Sequence, residues 1–210
     1  MDGAVPGLTA HWITEAASDT PGGERALEIV SASVAPAIAH HSARTFRYAA
    51  AIAEDEGTEG VDPATLFHAC LLHDLAAVAV SASSERFEVA GADAASKLLG
   101  AHGYSLRQRN RVWAAIALHT SPQIAERTGG LVRLVRLGVR ADFGDDCIDP
   151  LLRQETERDC PRLDVERVLS SMVVAQCLAD PHRAPASSWP AALLAAHTAS
   201  SDPDARMSAF

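Results

Sequence analysis

A histidine–aspartate pair, His73-Asp74, stands inside the apolar run from Leu66 to Ala76, and it constrains the fold more than any other feature. The residues around the pair are largely aliphatic or aromatic, so we expect the run to lie in a packed interior. An ionised carboxylate is costly to bury unless a cation or strong hydrogen-bond donors meet it. A bound metal ion would supply that charge, and the pair therefore predicts a buried metal site.

Donors that could complete such a site stand upstream and downstream of the pair, at His41 and Asp142. With His73 and Asp74 they form a set of two imidazoles and two carboxylates from three separate helices. This set leaves a site neutral around a dication and contains no thiolate, which argues against a structural zinc site. We therefore predict one divalent transition metal, first of all Zn or Fe, with Mn, Co or Ni as alternatives. Water on such an ion loses a proton near neutral pH.

Neighbouring residues compete for two of these positions. His40 precedes His41, and the Ser-x-Arg sequence that follows His41 favours the latter. Asp145 and Asp146 lie shortly after Asp142. We favour Asp142 because it continues the apolar face of its predicted helix, which should point inward.

The composition favours helices and a single domain. Hydrophobic residues make up 48% of the 210 residues but aromatic residues only 5%, so alanine, leucine and valine must form most of the interior. Alanine and leucine are strong helix formers, and no pattern of paired strands or internal repeats is present. We predict an all-α domain over residues 24–183, a flexible N-terminal arm over 1–23 and a C-terminal tail over 184–210. An apolar patch in the tail, Trp189 to Leu194, is expected to dock on the domain or on a partner.

The spacing of apolar residues and the capping residues divide the domain into helices. Asp62-Pro63 is typical of a helix start, and Ser105 is typical of an N-cap. The predicted helices run from 24 to 35, 37 to 55, 86 to 100, 105 to 119, 131 to 143 and 164 to 179, and a further helix starts at 62 and carries His73-Asp74 near its middle or end. Arg133, Arg136 and Arg140 share one face of the helix predicted from 131 to 143, and we expect that face in solvent.

Charge and cysteine pattern limit the partners and the location. The formal net charge of −9 argues against nucleic acid as a partner. No apolar segment reaches the roughly 18 residues of a membrane span, and the N-terminus has no signal-peptide pattern. The four cysteines show no C-x-x-C pair. We predict a cytoplasmic protein with a small-molecule substrate and no nucleic-acid or membrane partner, and we leave a homo-oligomer open.

The order of the candidate ligands on successive helices resembles that of the HD-domain superfamily of metal-dependent phosphohydrolases. The similarity spans roughly residues 24–180 and includes four blocks that resemble its cyanamide hydratase-like branch. The blocks are His41-Ser-Ala-Arg-Thr-Phe-Arg-Tyr48, Leu71-Leu-His-Asp-Leu75, Arg86-Phe-Glu-Val-Ala-Gly-Ala-Asp-Ala-Ala95 and Ala115-Ile-Ala-Leu-His-Thr-Ser121. The resemblance implies His41, His73, Asp74 and Asp142 as the metal ligands.

Three departures from the family pattern narrow the range of expected activities. Ala76 stands where a glycine is usual, and Ala77 stands where HD nucleotidases often carry a glutamate. The lysine of the cyclic dinucleotide phosphodiesterases is missing, since Lys97 is the one lysine in the chain. The resemblance therefore favours a hydrolase or hydratase that adds metal-activated water to a nitrile- or cyanamide-like carbon.

Three other functions stay open from the sequence. An HD phosphohydrolase would cleave a nucleotide or another phosphomonoester with the same activated water. A di-iron HD oxygenase would need further histidines, for which His102 and His119 are available. A non-catalytic, metal-stabilised module would bind a partner through its C-terminal tail.

Catalytic and substrate-binding roles are assigned to four residues. Asp74 and His119 are the expected catalytic groups, because both could transfer a proton near the metal. His119 ends an apolar helix, and the resemblance places it beside the metal pocket, so we also expect it to contact substrate. Arg44 would bridge acidic residues or bind substrate, and Phe87 is expected in the core or in the pocket wall. Glu88 is expected to orient Arg44 or to cap its own helix.

Overall fold

The computed structural model describes residues 8–78 and 83–199, and in these residues it contains helices and no strand, which confirms the predicted all-α fold. None of these helices combines the length and the hydrophobicity that a membrane span requires. The α-helices in the described residues are α1 (His11–Ser18), α2 (Gly23–Ser33), α3 (Pro36–Asp55), α4 (Pro63–Leu72), α5 (Phe87–Ala101), α6 (Leu106–Leu118), α7 (Gly130–Asp142), α8 (Pro150–Asp159), α9 (Val165–Ala179) and α10 (Trp189–Ala199).

Helix α4 is short, and its length determines where the histidine–aspartate pair lies. The Asp62 carboxylate caps the helix by accepting hydrogen bonds from the backbone N–H groups of Ala64 and Thr65, each at 3.3 Å. The helix ends at Leu72, so His73 and Asp74 occupy the turn that follows it. The sequence predicts that this helix includes His73 and Asp74, near its middle or its end. The earlier end places both polar side chains at the helix terminus.

Helices α3 and α7 lie close together along the centre of the bundle. Gly138 of α7 permits this approach, because a Cβ atom at this position would lie 2.5 Å from the Thr45 carbonyl oxygen and 2.9 Å from the Ala49 Cβ atom. The interior contacts are made by small and aliphatic side chains, as the composition predicts. The close packing holds His41 of α3 next to Asp142 of α7.

Helix α6 packs against α4, α5 and α7 and completes the surroundings of the site. It begins with a capping box, in which the Ser105 hydroxyl accepts from the Gln108 N–H and the Gln108 side chain accepts from the Ser105 N–H. It ends at Leu118, and His119 is its C-cap residue. The C-terminal ends of α4 and α6 therefore bring their polar residues to one place.

Three helices of the structure were not predicted as helices. Two of them, α1 and α10, lie in the predicted arm and tail, and the third is α8. Helix α1 falls within the predicted arm of residues 1–23, yet it buries Ile13 and Ala17 against the bundle. Helix α8 is absent from the sequence prediction. Helix α10 covers the apolar patch of the predicted tail and packs on α9, with Leu193 buried. Residues 1–7 and 200–210 of the predicted arm and tail lie outside the described residues, and the division into arm, domain and tail stays a prediction.

Candidate metal centre

Five predicted site residues converge in the interior of the bundle. They come from the middle of α3, the turn after α4, the end of α6 and the end of α7. Each is at most 1% exposed to solvent; they are His41, His73, Asp74, His119 and Asp142. A region that holds so many polar side chains away from water needs a specific account of each one.

Three of these side chains point their donor atoms at one another. The His41 and His73 Nε2 atoms are 3.1 Å apart. The Asp74 Oδ2 atom lies 3.2 Å from His73 Nε2 and 3.6 Å from His41 Nε2. Four ligands at tetrahedral angles and about 2.0 Å from a zinc ion are about 3.3 Å from one another. The three donor atoms therefore have the mutual spacing of ligands that share one cation.

The other ring nitrogen of each histidine fixes its orientation. His41 Nδ1 lies 2.6 Å from Asp142 Oδ2. The Nδ1 atoms of His73 and His119 lie 2.7 and 2.6 Å from the carbonyl oxygens three residues earlier in each chain segment. Because these partners only accept, we assign the ring proton to Nδ1 in all three residues. Each neutral ring then directs the lone pair of Nε2 into the centre.

Asp74 lies where these lone pairs meet and lacks a hydrogen-bond donor. Both of its oxygen atoms are buried and have no hydrogen bond within the described part of the chain. Oδ2 faces His41 and His73, whereas Oδ1 lies 3.5 Å from His119 Nε2. A buried carboxylate surrounded by nitrogen lone pairs requires positive charge. The residues present thus fit a divalent cation.

The pKa directions agree with a demand for positive charge. Burial alone would raise the pKa of the Asp74 carboxyl, but in the metal-free protein positive charge on the neighbouring imidazoles, that of His73 first, outweighs burial and holds this pKa well below its ordinary value. A bound cation would supply that charge in their place and leave the rings neutral. Burial lowers the pKa of His41, because burial disfavours the charged form of the ring.

Asp142, predicted as a metal ligand, lies behind His41 in this structure. Its Oδ1 accepts from Arg44 Nε at 2.6 Å, and its Oδ2 accepts from Arg44 Nη2 at 2.8 Å and from His41 Nδ1. Both oxygens are therefore engaged away from the group formed by His41, His73 and Asp74. A carboxylate on the outer nitrogen of a ligating histidine orients the ring and raises its basicity. The contacts of Asp142 fit that role, and its direct coordination of a metal stays a prediction.

Arg44 supports Asp142 and makes no hydrogen bond to the group formed by His41, His73 and Asp74. The side chain is 0% exposed. Besides the two bonds to Asp142, its Nη1 donates to the carbonyl oxygens of Cys160 and Pro161 at 2.9 and 3.0 Å. The predicted bridge to an acidic residue is thus present, with Asp142 as the partner. The predicted substrate contact has no support in this geometry, because the guanidinium is enclosed and all three of its nitrogens are engaged.

His119 and Phe87 line the side of the centre opposite Asp142. The His119 ring centroid lies 4.8 Å from that of His73 and 5.8 Å from that of Phe87. Arg136 Nη1 donates to the His119 carbonyl oxygen at 3.1 Å and thereby holds the end of α6. The expected solvent exposure of Arg136 is wrong, since this residue is 3% exposed. A tertiary acceptor that sequence spacing does not show accounts for its burial.

A polar cluster next to the centre was missed by sequence reasoning. The Glu88 carboxylate accepts from Arg86 Nε and Nη2 at 3.1 and 2.7 Å and from the Thr120 hydroxyl at 2.7 Å. We expected Glu88 to orient Arg44 or to cap its own helix, but its carboxylate binds Arg86. The sequence did contain a signal for this cluster, because Arg86 directly precedes Phe87 and Thr120 directly follows His119. Both pairs stand in blocks that resemble the cyanamide hydratase-like branch.

Comparison with known families agrees with this geometry. The model of the HD domain family matches residues 38–165, a segment that contains every residue of the candidate centre. No curated protein matches the chain. Proteins of this family are generally metal-dependent hydrolases. The match covers more than half of the chain, and the protein therefore belongs to the HD domain family.

Proposed function

We propose that this protein is a metal-dependent hydratase of the cyanamide hydratase-like branch, which adds water to the carbon of a small nitrile or cyanamide. The observation that carries the proposal is the convergence of two Nε2 atoms and the Asp74 carboxylate at 3.1–3.6 Å in a fully buried centre. We propose Zn or Fe as the metal, because imidazole and carboxylate ligands suit both.

Some residues of the centre would bind the ion, and others orient the residues that bind it. His41 and His73 would hold it through Nε2, and Asp74 would hold it through Oδ2. When bound, a divalent cation polarises the substrate and lowers the pKa of a water molecule. Asp142 and Arg44 keep the His41 ring in place, because together they fix its Nδ1 proton.

Proton transfer falls to Asp74 and His119. The Asp74 Oδ1 atom faces away from the proposed ligand group and lies 3.5 Å from His119 Nε2. A proton that Oδ1 accepts from water can therefore pass to His119, and hydration of a nitrile needs one proton delivered to its nitrogen. The Phe87 ring covers His119 and limits bulk water at this position.

The cations around the centre favour a neutral substrate over a phosphate ester. Arg44 is engaged with Asp142, and Arg162 Nη1 donates to the Asp142 carbonyl oxygen at 2.6 Å. Arg136 bonds the His119 carbonyl and Glu126. Phosphate-transfer sites instead present cations to the transferring group. These arginines stabilise protein acceptors rather than an incoming anion.

A phosphohydrolase is the second candidate, and one observation favours it. Arg86 lies next to Phe87 in the chain, and its side chain is 24% exposed at a cavity near His119. An arginine at that position could bind a phosphate group. The two candidates differ in the product that they release, so one assay separates them.

The test is a product assay on protein reconstituted with Zn²⁺, Fe²⁺ or Mn²⁺. We expect urea from cyanamide or an amide from a nitrile, and no phosphate from p-nitrophenyl phosphate or deoxynucleoside monophosphates. Asp74→Asn should abolish turnover and metal retention. The matched control is Asp93→Asn, which changes an exposed aspartate of α5. Phosphate release without hydration would establish the second candidate, and a well-folded protein that binds no metal would overturn the proposal.

A further inference from the structure

The metal centre is closed to solvent, so its substrate needs a way in. A cavity of about 690 Å³ lies beside it, between the start of α5, the loop after α6 and the start of α10. This volume is in the range of small-molecule sites. Its walls include Arg86, Thr120, Ser121 and Trp189.

Two dipeptides connect the cavity to the centre. In Arg86-Phe87 the first residue lines the cavity and the second packs on His119. In His119-Thr120 the order is reversed, since His119 faces Asp74 and Thr120 lines the cavity. The Phe87 ring completes the connection, because its centroid lies 5.8 Å from both the His119 and the Trp189 rings. The Phe87 ring therefore lies between Trp189, which lines the cavity, and His119, which faces the centre.

Glu88 fixes the polar end of this cavity. Its carboxylate is 0% exposed and binds both Arg86 and Thr120, so it holds the two dipeptides together. Two of the three Arg86 nitrogens are engaged in these contacts. The third, Nη1, has no hydrogen bond among the described residues and remains a donor for a ligand.

The charges of the cavity select the ligand. Among the described residues that line it, Arg86 alone is charged, and the buried Glu88 carboxylate compensates that charge. A ligand anion would compete with Glu88 for the same guanidinium, and a ligand cation would meet no exposed acid. The lining also includes apolar side chains, among them Trp189, Pro122 and Ile124. The cavity thus suits a neutral molecule with one hydrogen-bond acceptor and an apolar body.

We propose that this cavity is the substrate-binding pocket, and that it takes a neutral nitrile or amide with its acceptor on Arg86 Nη1 and its apolar part on Trp189. This inference rests on the proposed function and adds to it the place where the substrate binds and the apolar body that the substrate carries. For the reaction, the head group must leave Arg86 and the Phe87 ring must turn aside, so that the head group reaches Asp74. Hydration consumes one nitrile and one water and forms one amide, so substrate and product each offer Arg86 an acceptor, the first on entry and the second on release.

The test measures the binding of small probes to the metal-loaded full chain. Four probes share one apolar body and differ in the head group: phenylacetonitrile, phenylacetamide, phenylacetate and phenethylammonium. Phenylacetamide is the main probe, because it is a hydration product and is not consumed by the proposed reaction. We expect it to change tryptophan fluorescence, and we expect the two charged probes to bind at least tenfold more weakly. In Trp189→Phe, calorimetry should still detect binding while the fluorescence change is lost.

Two variants locate the binding site. Arg86→Met combined with Glu88→Gln removes the donor without leaving a buried charge alone, and it should weaken amide binding about tenfold, as loss of one hydrogen bond does. If this pair does not fold, Ala192→Phe fills the cavity from an exposed position and should weaken binding at least as much. Ala195→Phe, on the same helix and exposed, is the matched control and should bind as the unchanged chain does.

The outcomes separate this inference from the proposed function. Tighter binding of phenylacetate than of phenylacetamide would overturn the neutral substrate class. Equal amide affinity in Ala192→Phe and Ala195→Phe would overturn the location, even if the protein hydrates nitriles. Amide binding that depends on Arg86, in a protein that hydrates no nitrile, would support the pocket and reject the proposed function.

Discussion

Two aspartates of the candidate centre, Asp74 and Asp142, are equally buried but differ in their surroundings. Each is 1% exposed. Asp142 at the end of α7 accepts from Arg44 and His41, whereas Asp74 after α4 has no hydrogen bond among the described residues. Burial therefore does not identify a metal ligand. What distinguishes Asp74 is that its charge is left for something outside the chain to neutralise.

The largest expected effect concerns the aspartate that already has its partners. Arg44→Met removes the cation that compensates Asp142 and leaves a buried carboxylate without it. We expect the free energy of unfolding to fall by about 3–5 kcal/mol, as for other broken buried ion pairs. Urea unfolding of metal-free protein measures it.

The control for this experiment is Arg133→Met. Arg133 donates to the Glu56 carboxylate through two nitrogens at 2.5 and 2.7 Å. The two side chains are 35% and 37% exposed, so this is a surface ion pair. Such surface pairs contribute about 0–1 kcal/mol. If the two variants lost the same free energy of unfolding, the buried Asp142 carboxylate would not depend on Arg44 for its stability.

The second prediction concerns Asp74. Without metal, its substitution should not lower the free energy of unfolding, in contrast to Arg44→Met. At alkaline pH, where the neighbouring imidazoles are neutral, Asp74→Asn removes a buried charge that has no hydrogen bond among the described residues, so the free energy of unfolding of the metal-free protein should stay constant or rise. With Zn²⁺ at about 1,000 times its Kd, the unchanged chain should gain about 4 kcal/mol. The variant should lose most of this gain. Urea unfolding with and without Zn²⁺ tests both parts, and a destabilised metal-free variant would show that Asp74 has partners within the protein.

The third prediction separates orientation from coordination at Asp142. If Asp142 acts through His41, Asp142→Asn should weaken Zn²⁺ binding by about 10–100-fold, the usual effect of losing a partner of a ligating histidine. Competition with a chromogenic chelator measures the affinity. Loss of binding as complete as in Asp74→Asn would instead make Asp142 a ligand, as its position in the family motif implies.

The sequence reveals the donors of this centre but not how they divide their roles. His73-Asp74 is conspicuous because an acid interrupts an apolar run, and the Asp62-Pro63 pair correctly places the start of its helix. The engagement of Asp142 by Arg44 joins residues 98 positions apart. Only the packing of α3 on α7 brings these two side chains together, and local spacing contains no information on that distance.

The missed helix α8 shows a limit of another kind. Asp149-Pro150 has the same form as Asp62-Pro63, and the Asp149 side chain accepts from the N–H groups of Leu151 and Leu152. The sequence therefore does indicate the N-cap of α8. The helix behind it is polar and buries only Thr156, so the apolar periodicity that predicts the other helices is absent here.

The smallest expected effect concerns the distance between α3 and α7, which positions His41 against Asp142. Gly138→Ala introduces a Cβ atom 2.5 Å from the Thr45 carbonyl oxygen, so the helices must separate. We expect a loss of about 1–3 kcal/mol in the free energy of unfolding, as for other overpacked interiors, together with weaker Zn²⁺ binding. Gly91→Ala in α5 is the matched control, because its Cβ atom would meet no atom closer than 3.5 Å. That variant should be neutral or more stable, by up to about 1 kcal/mol, since alanine favours helices over glycine. If Gly138→Ala lost stability but bound Zn²⁺ unchanged, the spacing of α3 and α7 would matter for packing alone, and Asp74 would hold the metal independently of the pair formed by His41 and Asp142.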